Sequence, residues 1–379
     1  MKANWQTKTL GEVCEIYQPK TISAKEMTAD GKFPVFGANG IIGKYHAFNH
    51  EEPQLLVTCR GATCGSINVS LPRSWITGNA MVVRPRNGNL DLRFLEYLLR
   101  GPIDLSQAIT GSAQPQITRT NLSPLEISFP ESLPEQRRIV GILDEVFARA
   151  ATAKLNAEKN LANAREVFES YLQRVFARAW MIAELVSLSD LATDITDGDH
   201  LPPPKAPTGI PFITISDINK ESRIIDFGNT FKVARKYYEN LKDNRRPKFG
   251  DVLYTVTGSY GIPVIVDTEM EFCFQRHIGL IRPKSSVSSK WLYYLILAPQ
   301  LRKQADEGAT GTAQKTVSLK VLRNLLVPKV PVSEQKRVVQ QLDALSSETK
   351  QLESLYKSKL LALEELKKSV LRSAFRGEL

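Results

Sequence analysis

A chain that methylates the amino group of adenine or cytosine needs a short turn, Asp or Asn followed by two prolines and an aromatic, to grip the nitrogen. The proline run Leu201-Pro202-Pro203-Pro204-Lys205 has no leading acid or amide and no aromatic, so it reads as a loop. The glycine-rich stretch Phe36-Gly37-Ala38-Asn39-Gly40-Ile41-Ile42-Gly43-Lys44 faintly resembles a nucleotide loop. Lys44 is not followed by Ser or Thr, and no acidic ribose anchor follows in a strand–helix–strand setting, so a nucleic-acid-facing turn or a plain hairpin is expected instead. No Walker-type phosphate loop occurs elsewhere, so no ATP motor is encoded. Asp197-Gly198-Asp199-His200 hints at metal, but an isolated acidic turn reads as an Asx-rich loop. Cys14, Cys59, Cys64 and Cys273 form no C-x-x-C pair, and His46, His50, His200 and His277 stand at no ligand spacing to them. A structural zinc or other metal site is therefore not expected, and a reducing compartment fits. No Ser/His/Asp order is evident, so no catalytic residue is assigned.

What remains is recognition chemistry. Reading base edges in the major groove needs Arg, Lys, Asn and Gln on turns or helices, with basic residues on phosphates. The net charge of +10 and pI of about 9.3 favour a polyanionic partner, nucleic acid first. Candidate base or phosphate contacts lie in glycine-rich turns: Asn39 and Lys44, Arg60 and Thr63, Asn79, and Gln114 and Gln116 in the first half. In the second half they are Thr257, Ser259 and Tyr260, then Arg276 and His277, then Gln314 and Lys315. Arg245, Arg246 and Lys248 could track phosphates. Singly, each could equally be a solvated loop side chain; the set is what points to nucleic acid.

The elements that must position these residues come twice. Gly111-Ser112-Ala113-Gln114 returns as Gly311-Thr312-Ala313-Gln314, and Glu135-Gln136-Arg137-Arg138-Ile139-Val140 returns as Glu334-Gln335-Lys336-Arg337-Val338-Val339, each about 200 residues later. Leu143-Asp144 matches Leu342-Asp343, and Val83-Arg84-Pro85 matches Ile281-Arg282-Pro283. The turn Thr58-Cys59-Arg60-Gly61-Ala62-Thr63-Cys64-Gly65 corresponds to Thr255-Val256-Thr257-Gly258-Ser259-Tyr260-Gly261, and Thr77-Gly78-Asn79 to Gln275-Arg276-His277. The offset is steady in the later part of each repeat and drifts in the earlier part, as expected for a rigid part following a loop-rich one. The earlier parts alternate short apolar runs with turns, such as Leu55-Leu56-Val57-Thr58 and Asp251-Val252-Leu253-Tyr254, and read as strands. Short helices are expected at 92–99 and 290–297.

After Pro134 and after Ser333 the chain runs some forty residues without proline, which predicts two long helices, Pro134 in a first turn and Ser333 as an N-cap. In the second helix Leu342, Leu345, Leu352, Tyr356, Leu363 and Leu366, with Thr349, Lys359 and Val370, fall at alternating steps of three and four. The matching residues of the first are Leu143, Val146, Ala150, Ala153, Ala157, Asn160, Ala164, Val167 and Tyr171. Small residues facing large ones predict an antiparallel coiled coil about 65 Å long, with Asn160 and Lys359 as matching polar seam positions. The plain alternative is that each helix packs on its own globular part. The expected fold class is α+β, two globular α/β domains alternating with two long helices in a pseudo-two-fold repeat. Its boundaries are 1–133, 134–180, 181–332 and 333–379. No apolar run approaches the ~20 residues that span a bilayer, and the N-terminal residues have no apolar core, so a cytoplasmic chain without membrane association is expected.

With its paired G-[S/T]-A-Q turns, its E-Q-[R/K]-R-[I/V]-V helix starts and the ending Ser373-Ala374-Phe375-Arg376-Gly377-Glu378-Leu379, the chain resembles the specificity subunit of type I restriction–modification systems over essentially its whole length. The resemblance implies two target-recognition domains, each reading half of a split, asymmetric duplex DNA target, and a coiled coil that sets the spacer and docks two modification subunits. It also implies that S-adenosylmethionine, ATP and Mg²⁺ sit on modification and restriction partners, with no cofactor in this chain. A helical-hairpin adaptor with two protein-binding heads, and a self-sufficient nuclease or methyltransferase, are the other readings.

Overall fold

The computed structural model describes residues 4–200, 203–312 and 314–379. Met1 to Ala3, Leu201 and Pro202 of the proline run, and Ala313 of the repeated turn lie outside the described residues. Two compact units emerge: Met1–Lys159 with Tyr356–Leu379, and Asn160–Leu355.

In the first unit an antiparallel sheet orders its strands Cys14–Tyr17, Ala80–Pro85, Leu55–Thr58, Ile67–Val69. A second sheet orders Gly40–Tyr45, Phe33–Gly37, Trp75–Ile76, the last pair parallel. The second unit repeats the plan. Ala192–Asp197, Ile278–Pro283, Val252–Thr255 and Pro263–Ile265 form one sheet. Lys205–Ala206, Phe231–Val233, Ile210–Ile213 and Cys273–Phe274 form the other, again with its last pair parallel. The central strands Leu55–Thr58 and Val252–Thr255 are buried on both faces, which explains why they read as continuous apolar runs rather than alternating ones. The glycine-rich stretch from Phe36 to Lys44 is the hairpin of Phe33–Gly37 with Gly40–Tyr45.

The expected short helices are Leu92–Arg100 and Ser289–Leu297. A further helix, Pro299–Gly308, follows in the second unit, opened by a proline in its first turn. The long helices are Leu133–Ile182 and Val332–Arg376. Pro134 lies in the first turn as expected. Ser333 lies inside the helix rather than capping it, because the Pro331 carbonyl accepts from Gln335 N at 3.0 Å and so starts the helix earlier.

The helix starts explain the repeated E-Q motif. Gln136 is fully buried; its Oε1 accepts from Asp91 N at 2.8 Å and its Nε2 donates to Asn89 O at 3.0 Å and Pro130 O at 2.8 Å. Gln335 does the same in the second unit, with Ser288 N at 2.9 Å, Ser286 O at 3.1 Å and Val330 O at 2.8 Å. One buried side chain thus satisfies three backbone groups outside the helix, the Pro130 carbonyl through a fully buried bond.

Each unit holds the start of one long helix and the end of the other, running antiparallel. The first core combines Phe94, Leu98, Phe129, Ile139 and Leu143 with Ala374 and Phe375. The second combines Trp291, Leu295, Val338 and Leu342 with Leu172 and Phe176. Lys154 pairs with Glu364 at 3.1 Å in the first unit, and Arg165 with Glu353 at 3.0 Å in the second. The helices therefore pack on each other and on globular parts at once.

One seam position is as expected: Leu143, Ala150, Ala157, Ala164, Leu342 and Thr349 are buried at seven-residue intervals, with Tyr171, Tyr356, Leu363 and Val370 partly buried in step. The alternate position is displaced. Val167 is 52 % exposed, Leu352 42 % and Leu366 45 %, and Asn160 and Lys359 face solvent. Phe147, Leu161, Phe168 and Leu360 turn inward instead, one residue later, with Val146 and Leu345 part-buried beside the seam. In the first helix the steps run four then three, because Phe147 and Phe168, each larger than the valine before it, and Leu161, apolar where Asn160 is polar, take the inside position. Asn160 and Lys359 therefore do not set register.

Candidate nucleic-acid interface

In each unit three loops are tied together by the same backbone hydrogen bonds. In the first, the turn after strand Leu55–Thr58 gives Cys59 N to Asn79 O at 3.2 Å and Gly61 N to Pro115 O at 3.1 Å, and takes Ile117 N on Cys59 O at 2.9 Å. In the second, the turn after Val252–Thr255 gives Val256 N to His277 O at 2.9 Å and Gly258 N to Lys315 O at 3.0 Å, and takes Val317 N on Val256 O at 2.8 Å. Both turns close alike, Gly65 N to Thr58 O and Gly261 N to Thr255 O, each at 2.9 Å. The G-[S/T]-A-Q turn is the third loop. Gly111 (φ +85°) and Gly311 (φ +104°) sit where a Cβ would come within 2.6 and 2.3 Å of the carbonyl oxygens of Gln114 and Gln314, so only glycine fits.

This clustering gathers most of the candidates. In the first unit Arg60, Thr63, Asn79, Gln114 and Gln116 are exposed on the tied loops, and Arg60 forms a β-bridge with Gln116. Asn39 joins them from the hairpin tip, its Nδ2 donating to Thr63 Oγ1 at 2.7 Å. Lys44 stands apart, five residues along the hairpin from Asn39 and opposite Pro34. In the second unit Thr257, Ser259, His277 and Gln314 line one groove of about 310 Å³, with Arg276 and Lys315 exposed near by on the tied loops. Among the described residues no carboxylate lies within 4 Å of Arg60, Arg276 or Lys315, so these cations are available. The His277 imidazole is held below its usual pKa, first by burial and then by the adjacent Arg276, and is neutral at neutral pH.

Four candidates are occupied within the fold. Tyr260 is 7 % exposed; its hydroxyl donates to Asp306 Oδ1 at 2.7 Å and Arg302 lies over its ring, clamping the turn to helix Pro299–Gly308. Arg245 bridges Asp199 at 2.9 Å and Asp197 at 3.5 Å, holding the acidic loop that had hinted at metal. Arg246 stacks on Tyr238 and donates to the Glu239 carbonyl oxygen at 2.5 Å. Lys248 pairs with Asp243 at 2.7 Å. A basic run in sequence is here occupied within the fold: Arg245 by two distant acids, Arg246 by a ring and a backbone carbonyl, Lys248 by the neighbouring Asp243.

Lys220 lines the second-unit groove, its Nζ donating to Ser259 Oγ at 2.9 Å, and was not foreseen. Its loop follows strand Ile210–Ile213, in the variable part where no repeat is detectable. The Thr214/Asp217 capping box was the local sign of an ordered turn there.

The profile of the type I restriction modification DNA specificity domain matches residues 2–161 and 182–361, and the chain belongs to that family. It is 25 % identical over 62 % of its length to the specificity subunit of the type I restriction enzyme EcoBI of Escherichia coli, a match spanning 49 % of that relative. It is 22 % identical over its full length to the EcoDI specificity subunit of the same species, covering 89 % of it. A chain from a structural study of assembly and conformational transition in the type I restriction–modification system superposes with a TM-score of 0.77 at 21 % identity, covering 100 % of this chain and 99 % of that one, and shares the fold. No helix among the described residues is long and apolar enough to cross a membrane.

Proposed function

We propose that the chain reads duplex DNA with its two loop clusters, one half of a bipartite asymmetric target to each, and carries out no bond-making step itself. The paired helices set the unread spacer and dock two modification subunits. S-adenosylmethionine, ATP and Mg²⁺ belong to the modification and restriction partners. The observation that carries this reading is the repeated tying of three polar loops, two of them glycine-dependent, which presents Arg60, Asn79 and Gln116 in one unit and Arg276, His277 and Gln314 in the other. Rigidly held donors of these types are what base-edge readout requires. Family membership favours it over the adaptor reading.

Binding of the full chain, with its co-purifying subunits, to a duplex library should fall steeply with salt, as release of counterions from several phosphates demands. Methylome sequencing of a host carrying the system should yield one split, asymmetric motif. Salt-independent binding, or methyl transfer by the chain freed of other subunits, would overturn the reading.

A further inference from the structure

The two units share one more device, and they differ in it. In each, the loop leaving the strand that pairs in parallel lays a polar side chain on the hydroxyl two residues before the closing glycine of the turn. In the first unit this is Asn39 on Thr63, in the second Lys220 on Ser259. The tether is the same and the tethered chemistry is not.

Lys220 is exposed, and among the described residues no carboxylate lies within 4 Å of it. Its ammonium carries three N–H groups and Ser259 takes one, so two remain at the mouth of a groove walled by Ile215 and Ile262. Guanine alone presents two acceptors side by side on its major-groove edge, N7 and O6; adenine presents a donor in place of the second. Asn39 differs in kind. Its Nδ2 donates one N–H to Thr63, and the Thr58 hydroxyl lies nearer the Ala38 carbonyl at 2.6 Å than Asn39 Oδ1 at 3.1 Å, so a second N–H and the Oδ1 acceptor remain, the complement of adenine.

We propose that Lys220, tethered by Ser259, is a specificity-determining residue that reads a guanine in the half-site of the second unit, and that Asn39 holds the matching place for an adenine in the first. This rests on the DNA-reading function above. The test is selection from a randomised duplex library by the full chain with its co-purifying subunits, comparing wild type, Lys220→Ala and Ser259→Ala, with circular dichroism as the check on folding. Lys220→Ala should lose roughly ten-fold or more of its guanine preference at one base pair of one half-site and leave the other half unchanged. Ser259→Ala should relax the same base pair. If Lys220→Ala keeps the whole motif, or binds all sequences more weakly by one factor with a shallower salt slope, Lys220 contacts phosphate or nothing and the proposal fails while the DNA-reading function stands. A wild-type chain that enriches no sequence would remove both.

Discussion

Tyr294 donates its hydroxyl proton to Asp343 Oδ1 at 2.7 Å, while Lys290 holds the other oxygen at 2.5 Å, fastening helix Ser289–Leu297 to the second long helix. Tyr97 and Asp144 repeat the pairing in the first unit, with Arg93 donating at 2.9 Å to the same Asp144 Oδ1. Burial first, then this bond, raises the Tyr97 hydroxyl from 10.0 to about 12. A raised pKa means that the folded state keeps the proton longer. The stabilisation is complete below pH 10 and is lost as pH rises towards 12. Tyr97→Phe should lower stability by about 1–2 kcal/mol at neutral pH and flatten the decline above pH 10. Denaturant melts across that window check both.

Gln136→Leu should cost about 1–3 kcal/mol, since it takes the partner from an N–H and two carbonyls, the buried bond to Pro130 among them. Guanidinium unfolding followed by fluorescence should show it in the transition reported by Trp5 and Trp75. Gln335→Leu should act on the one reported by Trp180 and Trp291. Two unmoved transitions would mean that water replaces the amide.

Gly311→Ala brings a Cβ to 2.3 Å from the Gln314 carbonyl oxygen at a positive φ, so the turn must rearrange. The turn is exposed, and the expected outcome is intact melting with DNA binding reduced about ten-fold or more by loss of a well-placed contact. Unchanged binding would place the turn outside the interface.

Ala157 is 1 % exposed in the seam, and Ala157→Leu should cost about 1–3 kcal/mol by overpacking. Leu352→Ala, at a position 42 % exposed, should cost under about 1 kcal/mol. Thermal melts of the two variants rank them; equal losses would contradict the seam as it stands.

That last pair also marks what was legible in the sequence. The duplication, the strand-rich parts and the long helices follow from motif repeats and periodicity, which survive divergence. The second seam position does not, because Val146-Phe147 and Val167-Phe168 offer apolar residues in both registers and only packing chooses. Two of the three tied loops in each unit were visible as glycine-bearing repeats. The pairing of Arg245 with Asp197 and Asp199 was not, since those partners lie some fifty residues away in sequence. Lys220 was hidden for a different reason: the two units keep the tether and vary everything around it.

The way the cores are shared has a consequence for synthesis on the ribosome. The unit 160–355 is one uninterrupted segment, whereas the other needs residues from both ends of the chain, Phe375 among them. Domains that emerge first ordinarily complete first. Here the order inverts: the unit begun first is finished last, and its exposed apolar surface must wait, partly uncovered, until the final helical turns leave the exit tunnel.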